Sequence, residues 1–334
     1  MASRWVGKCG DLLAGIEPAV SGRRVAVVDC GSNSTRLLLA TVVDGRVLGA
    51  RRRTVITRLG GQVDRTGRLS DDAIDRVAQV LDEYAGQWRG AGIDHVAVCA
   101  TSAVRDAANA TRLVRAVERA TGVTPVVLSG VEEAELTFAG GVAGQSERRV
   151  VCDIGGGSTE LIVGRGVPER RVSLQLGSVR LRERHLHHDP PTVAEYAALI
   201  ADVDTVLAAQ SSAYEAQGDV PLIAVAGTAT TLAAVAAGVD ADADDRIDGM
   251  VLTAAELVQI IERLAWIPAR RRLMHSAIVV GREDVVVAGG LLLARVLDHF
   301  GFAAVEVRVA DLLDGIALRL AADDWPQSGT PVPA

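Results

Sequence analysis

The sequence predicts an α/β fold of two related domains that meet at a shared cleft. One observation is an internal echo: residues 27–38 resemble residues 151–162, and both stretches place an aspartate before a turn of glycine and hydroxyl residues. The two aspartates, Asp29 and Asp153, lie a whole domain apart, which argues against a short solenoid repeat. A second observation is the alternation of strand and helix patterns along the chain, which is typical of sheets covered by helices.

The composition is that of a globular chain with an aliphatic core. Of the 334 residues, 49% are hydrophobic and 3% are aromatic, and the formal net charge is −7. This charge gives no global attraction to nucleic acid or to an anionic membrane, so we expect neither as a partner. Lys8 is the sole lysine. Chemistry that needs a catalytic lysine is therefore excluded, and phosphate contacts must come from arginine, backbone N–H groups or a metal.

Cysteine use and the first residues indicate a reducing compartment. The four cysteines form no Cys-x-x-Cys pair and are too sparse for a disulfide framework. Residues 1–20 carry scattered charges without a clean apolar block, unlike a secretory signal. The uncharged stretch 221–239 is interrupted by Gly227 and three threonines, which predicts a strand, a turn and a buried helix rather than a membrane span. We therefore expect a cytoplasmic protein.

The first regular element is a β-hairpin that follows an appended segment at residues 1–22. The apolar run at 25–28 predicts a buried strand, and residues 37–43 predict the strand that returns beside it. Between them, residues 31–34 form a polar tip. This hairpin is expected to present its tip to the cleft.

Helices and strands then alternate. Ser70 precedes two aspartates and an apolar pattern of helical spacing, which predicts a helix with Ser70 as its N-cap and Gly86 at its end. A strand at 95–100, a helix at 111–120 and a strand at 126–128 follow. This order predicts a mixed sheet with helices on its faces.

The second hairpin repeats the first and is followed by helices. Its first strand ends at Asp153, its tip is 155–159, and its second strand is 161–163. Helices are predicted at 193–214 and 254–264. The second half of the chain is therefore expected to build a second domain around its own phosphate loop.

The echo divides the chain into four predicted segments. An N-terminal extension occupies residues 1–22, a first domain 23–138, a second domain with a helical C-terminal part 139–322, and a tail 323–334. The tail holds three of the ten prolines and little apolar content, so it is predicted to be disordered.

Both hairpin tips have the composition of an anion-binding loop, in which backbone N–H groups point at the ligand and glycine permits close approach. The predicted substrate-binding residues are Gly31, Ser32, Asn33 and Ser34 in the first tip and Gly155, Gly156, Gly157, Ser158 and Thr159 in the second. Neither tip continues as Gly-Lys-Ser/Thr, which excludes a Walker-type phosphate loop. Neither has the spaced glycines of the dinucleotide fingerprint, which excludes a Rossmann-type site. The alternative is that each is only a tight hairpin turn.

Acidic residues accompany both tips. Asp29, Asp153 and Glu160 are placed to bring carboxylates to the rim of the cleft, where they would hold a hard divalent cation against phosphate oxygens. The alternative is that these carboxylates only brace the turns.

A Glu-Glu pair supplies the candidate general base. Ser129 followed by Glu132 predicts a capping box at a helix start, which gives Glu132 a structural role. Glu133 points about 100° further around the helix axis and is free to face the cleft as a base. Arg105 follows an apolar strand and either caps a phosphate with its fork or makes a surface ion pair.

Three further features carry weaker predictions. The run 51–53 with Arg58 is a candidate second anion surface or a solvated strand face. Three histidines between 185 and 188 lack the spacing of a zinc site. Residues 224–232 predict a strand, a hydroxyl-rich turn and a helix whose N-terminus either accepts an anion or simply packs.

Four separated motifs give the chain a resemblance to a known family. They occupy residues 28–34, 129–134, 153–161 and 226–232, and the stretches 177–181 and 281–284 extend the likeness. In this order they resemble the exopolyphosphatase/guanosine pentaphosphate phosphohydrolase (Ppx/GppA) family, over about residues 23–320. The chain is too short to hold the additional C-terminal helical region of longer members.

The resemblance implies a fold, an activity and a set of roles. The fold would be two ribonuclease-H-like domains of the acetate and sugar kinase/heat-shock/actin superfamily, with an active-site cleft between them. The activity would be Mg²⁺-dependent hydrolysis of the terminal phosphoanhydride of inorganic polyphosphate or of guanosine pentaphosphate, in a homodimer. By motif, Glu133 matches the catalytic glutamate, Arg105 the cleft arginine, and Asp29, Asp153 and Glu160 the acidic cleft residues.

Several functions remain open from the sequence. The leading hypothesis is an exopolyphosphatase in which Glu133 activates water for in-line attack. A guanosine pentaphosphate 5′-phosphohydrolase would use the same machinery. A phosphotransferase of this fold would need an adenosine pocket near 227–232, and a non-catalytic sensor of polyphosphate or alarmone would have no need for a base.

Overall fold

A computed structural model describes residues 22–93 and 95–326. The predicted N-terminal extension, except Gly22, and the predicted tail beyond residue 326 lie outside the described residues. The described chain is a mixed α/β structure with two sheets, as the sequence predicts. The strands are β1 Arg23–Cys30, β2 Ser34–Val43, β3 Arg46–Ile56, β4 His95–Ala100, β5 Val126–Val127, β6 Arg148–Ile154, β7 Thr159–Arg165, β8 Val167–Leu174, β9 Leu222–Val225, β10 Val251–Thr253 and β11 Ala304–Val307.

Helices cover both sheets and join them. In chain order they are α1 Val63–Thr66, α2 Asp71–Gly90, α3 Ser102–Arg105, α4 Ala110–Thr121, α5 Gly130–Gly141, α6 Ser178–His185, α7 Val193–Leu207, α8 Ala226–Ala237, α9 Asp244–Ile247, α10 Ala254–Ala265, α11 Ala269–Arg272, α12 Val286–Phe300 and α13 Leu312–Ala321. A short 3-10 turn at Ser212–Tyr214 follows α7. No helix among the described residues is both long and apolar enough to cross a bilayer.

The two sheets repeat one local topology, which confirms the fold class predicted from the internal echo. The first sheet has the order β3-β2-β1-β4-β5, and the second β10-β11-β9-β6-β7-β8. In the first, β1 pairs antiparallel with β2 and parallel with β4. In the second, β6 pairs antiparallel with β7 and parallel with β9. Each sheet therefore carries one glycine-tipped hairpin at the same place in its pattern.

The hairpin register sets an acidic residue of each first strand opposite a charged residue of the second. Asp29 is paired with Arg36 across β1 and β2, and Asp153 with Glu160 across β6 and β7. Cross-strand partners in an antiparallel pair have their side chains on the same face. The two hairpins thus differ in the partner of this aspartate, which is the cation Arg36 in the first hairpin and the acid Glu160 in the second.

Two helices cross between the halves of the molecule. Helix α5 packs Ala134 and Phe138 on the second sheet, whereas α13, from the end of the chain, packs Leu313 and Ile316 on the first. The helices also touch each other closely. A Cβ on Gly140 would lie 2.0 Å from the carbonyl oxygen of Asp311. The division at residues 138 and 139 remains a prediction, since each sheet is covered by a helix from the other side of that boundary.

Several predicted elements have different ends. Helix α2 does not stop at Gly86 but continues to Gly90, because its apolar face extends to the buried Trp88. The helix predicted to reach residue 214 ends at Leu207. Residues 221–239 form β9 and α8, with Val225 as the N-cap and therefore no separate turn.

The predicted disordered tail begins too early. Its first four residues are part of the structure: Trp325 is buried with the core that α13 shares with the first sheet. Asp323 also forms an ion pair with Arg23, at the start of β1. Burial of a single tryptophan outweighs the polar composition around it, since an aromatic side chain buries a large apolar area.

Candidate active site

The two hairpin tips have the same backbone geometry. In the first, the N–H of Gly31 donates to the carbonyl of Ser34, and in the second the N–H of Gly155 donates to that of Ser158, both at 3.0 Å. Within the described residues, the backbone N–H groups between these ends, at 32–33 and 156–157, have no acceptor. Unsatisfied N–H groups in a tight glycine turn are suited to bind an anion.

The tips touch each other across the cleft. The hydroxyl of Ser32 lies 3.0 Å from that of Ser102, at the start of α3. A Cβ on Gly156 would lie 2.9 Å from the Cβ of Ser32, and one on Gly157 would lie 2.3 Å from the Ser102 hydroxyl. Glycine at both positions is therefore needed for the two loops to approach. The contact brings together the loops that the sequence places on separate hairpins.

A cavity of about 60 Å³ lies against both loops. Its walls are polar and come from the two tips, the start of α5, the start of α8 and the turn before α12. The lining includes Asp29, Gly31, Ser32, Asn33, Ser34, Arg36, Ser102, Glu133, Asp153, Gly155, Gly156, Ser158, Gly227, Thr228 and Arg282. Of the predicted site residues, Gly157, Thr159, Glu160 and Arg105 are outside this lining.

Helix α5 begins at the cavity and presents Glu133 to it. Ser129 is the N-cap, and Glu132 closes the predicted capping box, which confirms its structural role. The next residue, Glu133, is 7% exposed. Its carboxylate pairs with Arg105, whose Nη1 lies 3.1 Å from Oε2. The start of the helix thus separates a capping glutamate from a glutamate that faces the ligand space.

Arg105 holds Glu133 rather than a neighbour on the surface. Its Nη1 also donates to the carbonyl of Leu128 at 2.7 Å, and its buried Nη2 has no hydrogen-bond partner. The guanidinium is therefore fixed behind the carboxylate, outside the cavity lining. The ion pair is therefore made with the candidate base and not with a surface neighbour, and the phosphate-capping role of Arg105 stays a prediction.

Three buried carboxyls next to one another have raised pKa values. Burial, followed by the nearby charge of Glu160, raises the pKa of Glu133 well above its usual range, and Arg105 opposes this shift. Burial and Glu160 raise the pKa of Asp153 to about 8. Burial raises the pKa of Glu160 to about 7, against the hydrogen bond from Ser173. Clusters of this kind occur at functional sites because like charges are held together out of water.

The carboxylates predicted to bind metal have partners within the protein. Asp29 accepts from Arg36 at 2.9 Å, and Arg36 also bonds to Asp311. Asp153 accepts from the Thr137 hydroxyl at 3.2 Å. Among the described residues no group of three or more histidine, cysteine, aspartate or glutamate side chains is arranged to hold a metal ion. A cage made of protein carboxylates alone is therefore not part of this structure.

Single carboxylate oxygens nevertheless fit a Mg²⁺ ion that keeps its waters. Glu160 Oε2 is buried and has no hydrogen-bond partner, and Asp153 lines the cavity. Mg²⁺ is usually held by one or two carboxylates together with waters and substrate phosphates. The donor set of hard oxygens next to an anion loop is compatible with that mode of binding.

Two charged cavity residues, Arg36 and Arg282, were not predicted from the sequence as site residues. Arg36 bonds both Asp29 and Asp311, and occupies the position in the first hairpin that Glu160 has in the second. Arg282 has no carboxylate partner among the described residues. Burial, and then the nearby Arg36, lower the pKa of Arg282 to about 10. The echo itself could have singled out Arg36, and the stretch 281–284 contained the signal for Arg282.

Arg282 is placed by a glycine. A Cβ on Gly227, in the first turn of α8, would lie 1.9 Å from Nη1 of Arg282. The preceding residue, Ala226, has a φ of +64°, an uncommon conformation for a residue with a side chain. The hydroxyl-rich stretch predicted as a third turn therefore brings Gly227 and Thr228 to the cavity and leaves room for a cation there.

The remaining candidates lie elsewhere. His185 bonds Asp202 at 2.8 Å, and His188 bonds Glu195 at the same distance. Arg58 pairs with Asp284 at 2.9 Å. Arg52 and Arg53 line a second cavity beside the first.

Comparison with known proteins assigns the chain to a family. The sequence model of the Ppx/GppA phosphatase family matches residues 38–322. The chain is 36% identical over 321 residues to Exopolyphosphatase 2 of Mycobacterium tuberculosis, covering 89% of this chain and 98% of the relative. It is 32% identical over 304 residues to Exopolyphosphatase 1 of Mycobacterium bovis, covering 89% and 88%.

Solved structures agree with the sequence relatives. An exopolyphosphatase-like protein superposes with a TM-score of 0.83 at 33% identity, covering 90% of this chain and 99% of that one. The Aquifex aeolicus member of the Ppx/GppA family gives a TM-score of 0.75 at 29% identity, covering 90% and 98%. The resemblance first observed in four short motifs is confirmed over most of the sequence and of the fold. The chain belongs to the Ppx/GppA phosphatase family.

Proposed function

We propose that this chain is an exopolyphosphatase, which hydrolyses the terminal phosphoanhydride of inorganic polyphosphate and releases orthophosphate. The observation that carries the proposal is the position of Glu133, a buried carboxylate that faces a cavity lined by two glycine loops. The family and the relatives named exopolyphosphatase support this choice of substrate. Lysine plays no part, in agreement with its near absence from the sequence.

The loops and Arg282 bind the terminal phosphates. Backbone N–H groups at 32–33 and 156–157 donate to phosphoryl oxygens, and glycine at 156 keeps the tip free of a side chain. Arg282 contributes a cation without a carboxylate partner, so its charge is available to the substrate. Donors held in place before the reaction stabilise the charge that develops on the transferring phosphoryl group.

Glu133 orients a water molecule and accepts its proton as the water attacks the terminal phosphorus in line with the leaving chain. A raised pKa makes its carboxylate a stronger base than an exposed glutamate. Arg105 fixes the carboxylate through the 3.1 Å contact, and its charge opposes the rise in the pKa of Glu133. The mechanism requires no covalent enzyme intermediate.

Mg²⁺ is the proposed cofactor. Asp153 and Glu160 would hold it, with Asp29 at the rim, and it would neutralise charge on the phosphate oxygens. Glu160 Oε2 is the oxygen best suited to this role, since it is buried and without a partner.

Guanosine pentaphosphate is the alternative substrate, because the family name covers both activities. One observation favours polyphosphate: within the described ranges no aromatic side chain lines the cavity, so a guanine base would have no ring there on which to stack. The test is to compare the two substrates directly.

The central experiment measures phosphate release with Mg²⁺ from short and long polyphosphate, guanosine pentaphosphate and ATP. We expect turnover of polyphosphate, reduced about 10²-fold or more in Glu133→Gln. Glu132→Gln is the matched control: it alters the neighbouring capping residue, which does not line the cavity, and should retain activity. Equal rates in the two variants would refute the role of Glu133. Turnover of guanosine pentaphosphate alone would make that compound the substrate in place of polyphosphate. Tight binding without turnover would indicate a non-catalytic sensor.

We also propose that the enzyme is cytoplasmic. The free, buried thiols of Cys30, Cys99 and Cys152 support a reducing compartment. Cell fractionation with an antibody against the chain tests the location, and recovery outside the cytoplasm would contradict it.

A homodimer is the proposed assembly. Met274 and Val280 are 84% and 72% exposed, an unusual state for large apolar side chains that a second chain would cover. Light scattering of the purified protein gives the mass, and a monomeric mass across the working concentration range would contradict the proposal.

A further inference from the structure

A second cavity, of about 130 Å³, adjoins the first. The two share Arg36, Ala226, Gly227 and Arg282 in their linings. The second cavity contains none of the carboxylates Glu133, Asp29 and Asp153, which line the first. It therefore adjoins the first cavity along the residues that the two share, and the proposed base is not part of its lining.

The walls of the second cavity are rich in arginine. Four arginines line it, Arg36, Arg52, Arg53 and Arg282, against two aspartates, Asp244 and Asp311. Asp311 is already paired with Arg36. Arg52 uses Nη2 for Asp314 at 2.8 Å, whereas its buried Nη1 has no partner. Arg282 has no carboxylate partner in the part of the chain that the structure describes. Guanidinium N–H groups of Arg52 and Arg282 therefore remain available to a ligand in this cavity.

The other lining groups suit a chain of phosphates better than a nucleoside. Thr54, Thr230 and Thr231 contribute hydroxyl groups, and Ala241 and Ala277 are small. The lining includes no aromatic ring on which a base could stack. Unpaired guanidinium donors together with hydroxyl groups are what phosphate oxygens require.

We propose that this second cavity binds the phosphates on the leaving side of the scissile bond. The inference rests on the proposed exopolyphosphatase function and adds the path of the chain. In-line displacement sends the leaving group away from the attacking water, and hence from Glu133. Arg282 then touches both the terminal and the following phosphates, and long chains bind more tightly than short ones. The candidate second anion surface of the sequence was the run 51–53 with Arg58; of these residues, Arg52 and Arg53 form part of this wall.

The test introduces a negative charge at Ala241, a small residue that lines the second cavity and not the first. Ala241→Glu and Ala241→Gln have the same size and differ in charge. We expect the glutamate variant to have a KM for long-chain polyphosphate at least tenfold above that of the glutamine variant, since each tenfold is about 1.4 kcal/mol. For tripolyphosphate the two variants should differ less than for long chains. Ala243→Glu, which adds the same charge outside the lining, should resemble the wild type.

The outcomes separate this inference from the proposed function. If the wild type releases phosphate while the Glu and Gln variants share one KM for long chains, the second cavity is not the path and only this inference falls. Equal effects on tripolyphosphate and on long chains also overturn it. Without turnover in the wild type the proposed function fails. In that case equilibrium binding of long-chain polyphosphate to the same three variants decides whether the second cavity binds the phosphate chain. Loss of binding in Ala241→Glu alone would support binding there. Thermal melting verifies that each variant is folded.

Discussion

At the scale of single residues, the contact that matters most joins Arg105 to Glu133. The carboxylate is surrounded by other acids, Glu160 and Asp153 among them, and Arg105 is the cation that opposes their effect on its pKa. Arg105 lies outside the cavity lining, so in the proposed mechanism it would act on the reaction through Glu133, as a positioning residue. Its influence should therefore be seen in the pH dependence of the rate as well as in the rate.

Arg105→Gln should move the acidic limb of the kcat/KM profile to higher pH. A general base works only when deprotonated, and removing the adjacent cation raises the pKa of Glu133 further. We expect a shift of about one pH unit, which corresponds to about 1.4 kcal/mol. The measurement is phosphate release from polyphosphate between pH 5 and 9. Arg112→Gln, which breaks the exposed ion pair with Asp71, is the control. A slower enzyme with an unmoved limb would contradict the assignment.

Part of this site could be predicted from patterns in the sequence. Glu133 could be picked out because the capping box assigns its neighbour to the helix start, and the loops because the motif occurs twice. Two contacts of the site join segments far apart in sequence. Arg36 bonds Asp311, and the guanidinium of Arg282 packs against Gly227. Nothing local marks such partners, since each arginine on its own is compatible with a solvated surface.

At the scale of elements, the glycine tips are built for contact with each other as well as for flexibility. Gly156 and Gly157 lie against Ser32 and Ser102, which belong to the first half of the chain. A methyl group at these positions would be driven into the opposite loop. The spacing of the two glycine tips is thus set by the absence of side chains.

Gly157→Ala should lower activity while the chain stays folded. Its Cβ would lie 2.3 Å from the Ser102 hydroxyl and 2.9 Å from the Ser32 hydroxyl, so these hydroxyls must turn away from each other or the tip must move back. We expect about a 10²-fold loss in kcat/KM, as for other displacements of about 1 Å in a site. Adding Ser102→Ala removes the nearer oxygen and should restore part of the loss. Steady-state kinetics of the single and double variants measure this coupling, and its absence would contradict the steric account.

Gly86→Ala is the matched control, a glycine in the interior of α2 with open space where the Cβ would stand. It should leave activity unchanged and stabilise the fold by up to about 1 kcal/mol, since alanine is the better helix former. The same residue shows the limit of sequence patterns at element ends. Gly86 was predicted to end the helix, but the burial of Trp88 on the next turn carries the helix on to Gly90.

At the scale of the whole molecule, each half of the chain contributes a helix that packs on the sheet of the other half, and these helices hold the two sides of the cleft together. Helix α5 carries Glu133 and packs on the second sheet, whereas α13 follows Asp311 and packs on the first. A Cβ on Gly315 would lie 1.9 Å from the carbonyl oxygen of Leu136, so the two helices are in backbone contact. The sequence predicted both sheets from local periodicity. It did not predict this crossing, because helical periodicity shows which face is buried and not which sheet receives it.

The acidic cluster within the cleft makes stability depend on pH in a particular direction. Asp153 has a pKa raised to about 8 and Glu160 to about 7, and the pKa of Glu133 is raised as well. In the unfolded chain these carboxyls lose their protons near pH 4. Between about pH 4 and pH 8 the folded chain therefore holds more protons than the unfolded chain, and the free energy of unfolding falls as pH rises. The opposite group, Glu195, with a pKa lowered to about 2, contributes stability that is lost only as pH falls below about 4.5.

The melting temperature without divalent cations should therefore decrease from pH 5 to pH 8, measured by thermal denaturation at constant ionic strength. Glu160→Gln removes one of the carboxyls and lowers the repulsion on the other two, so its profile should be flatter than that of the wild type. If Asp153 and Glu160 hold Mg²⁺ as proposed, they do so as deprotonated carboxylates of the folded state, so adding the ion should raise the melting temperature more at pH 8 than at pH 5. A melting temperature that is constant or increases across this range would show that the carboxyls are ionised at little cost in the folded protein. A Mg²⁺ effect equal at both pH values would place the cation away from Asp153 and Glu160.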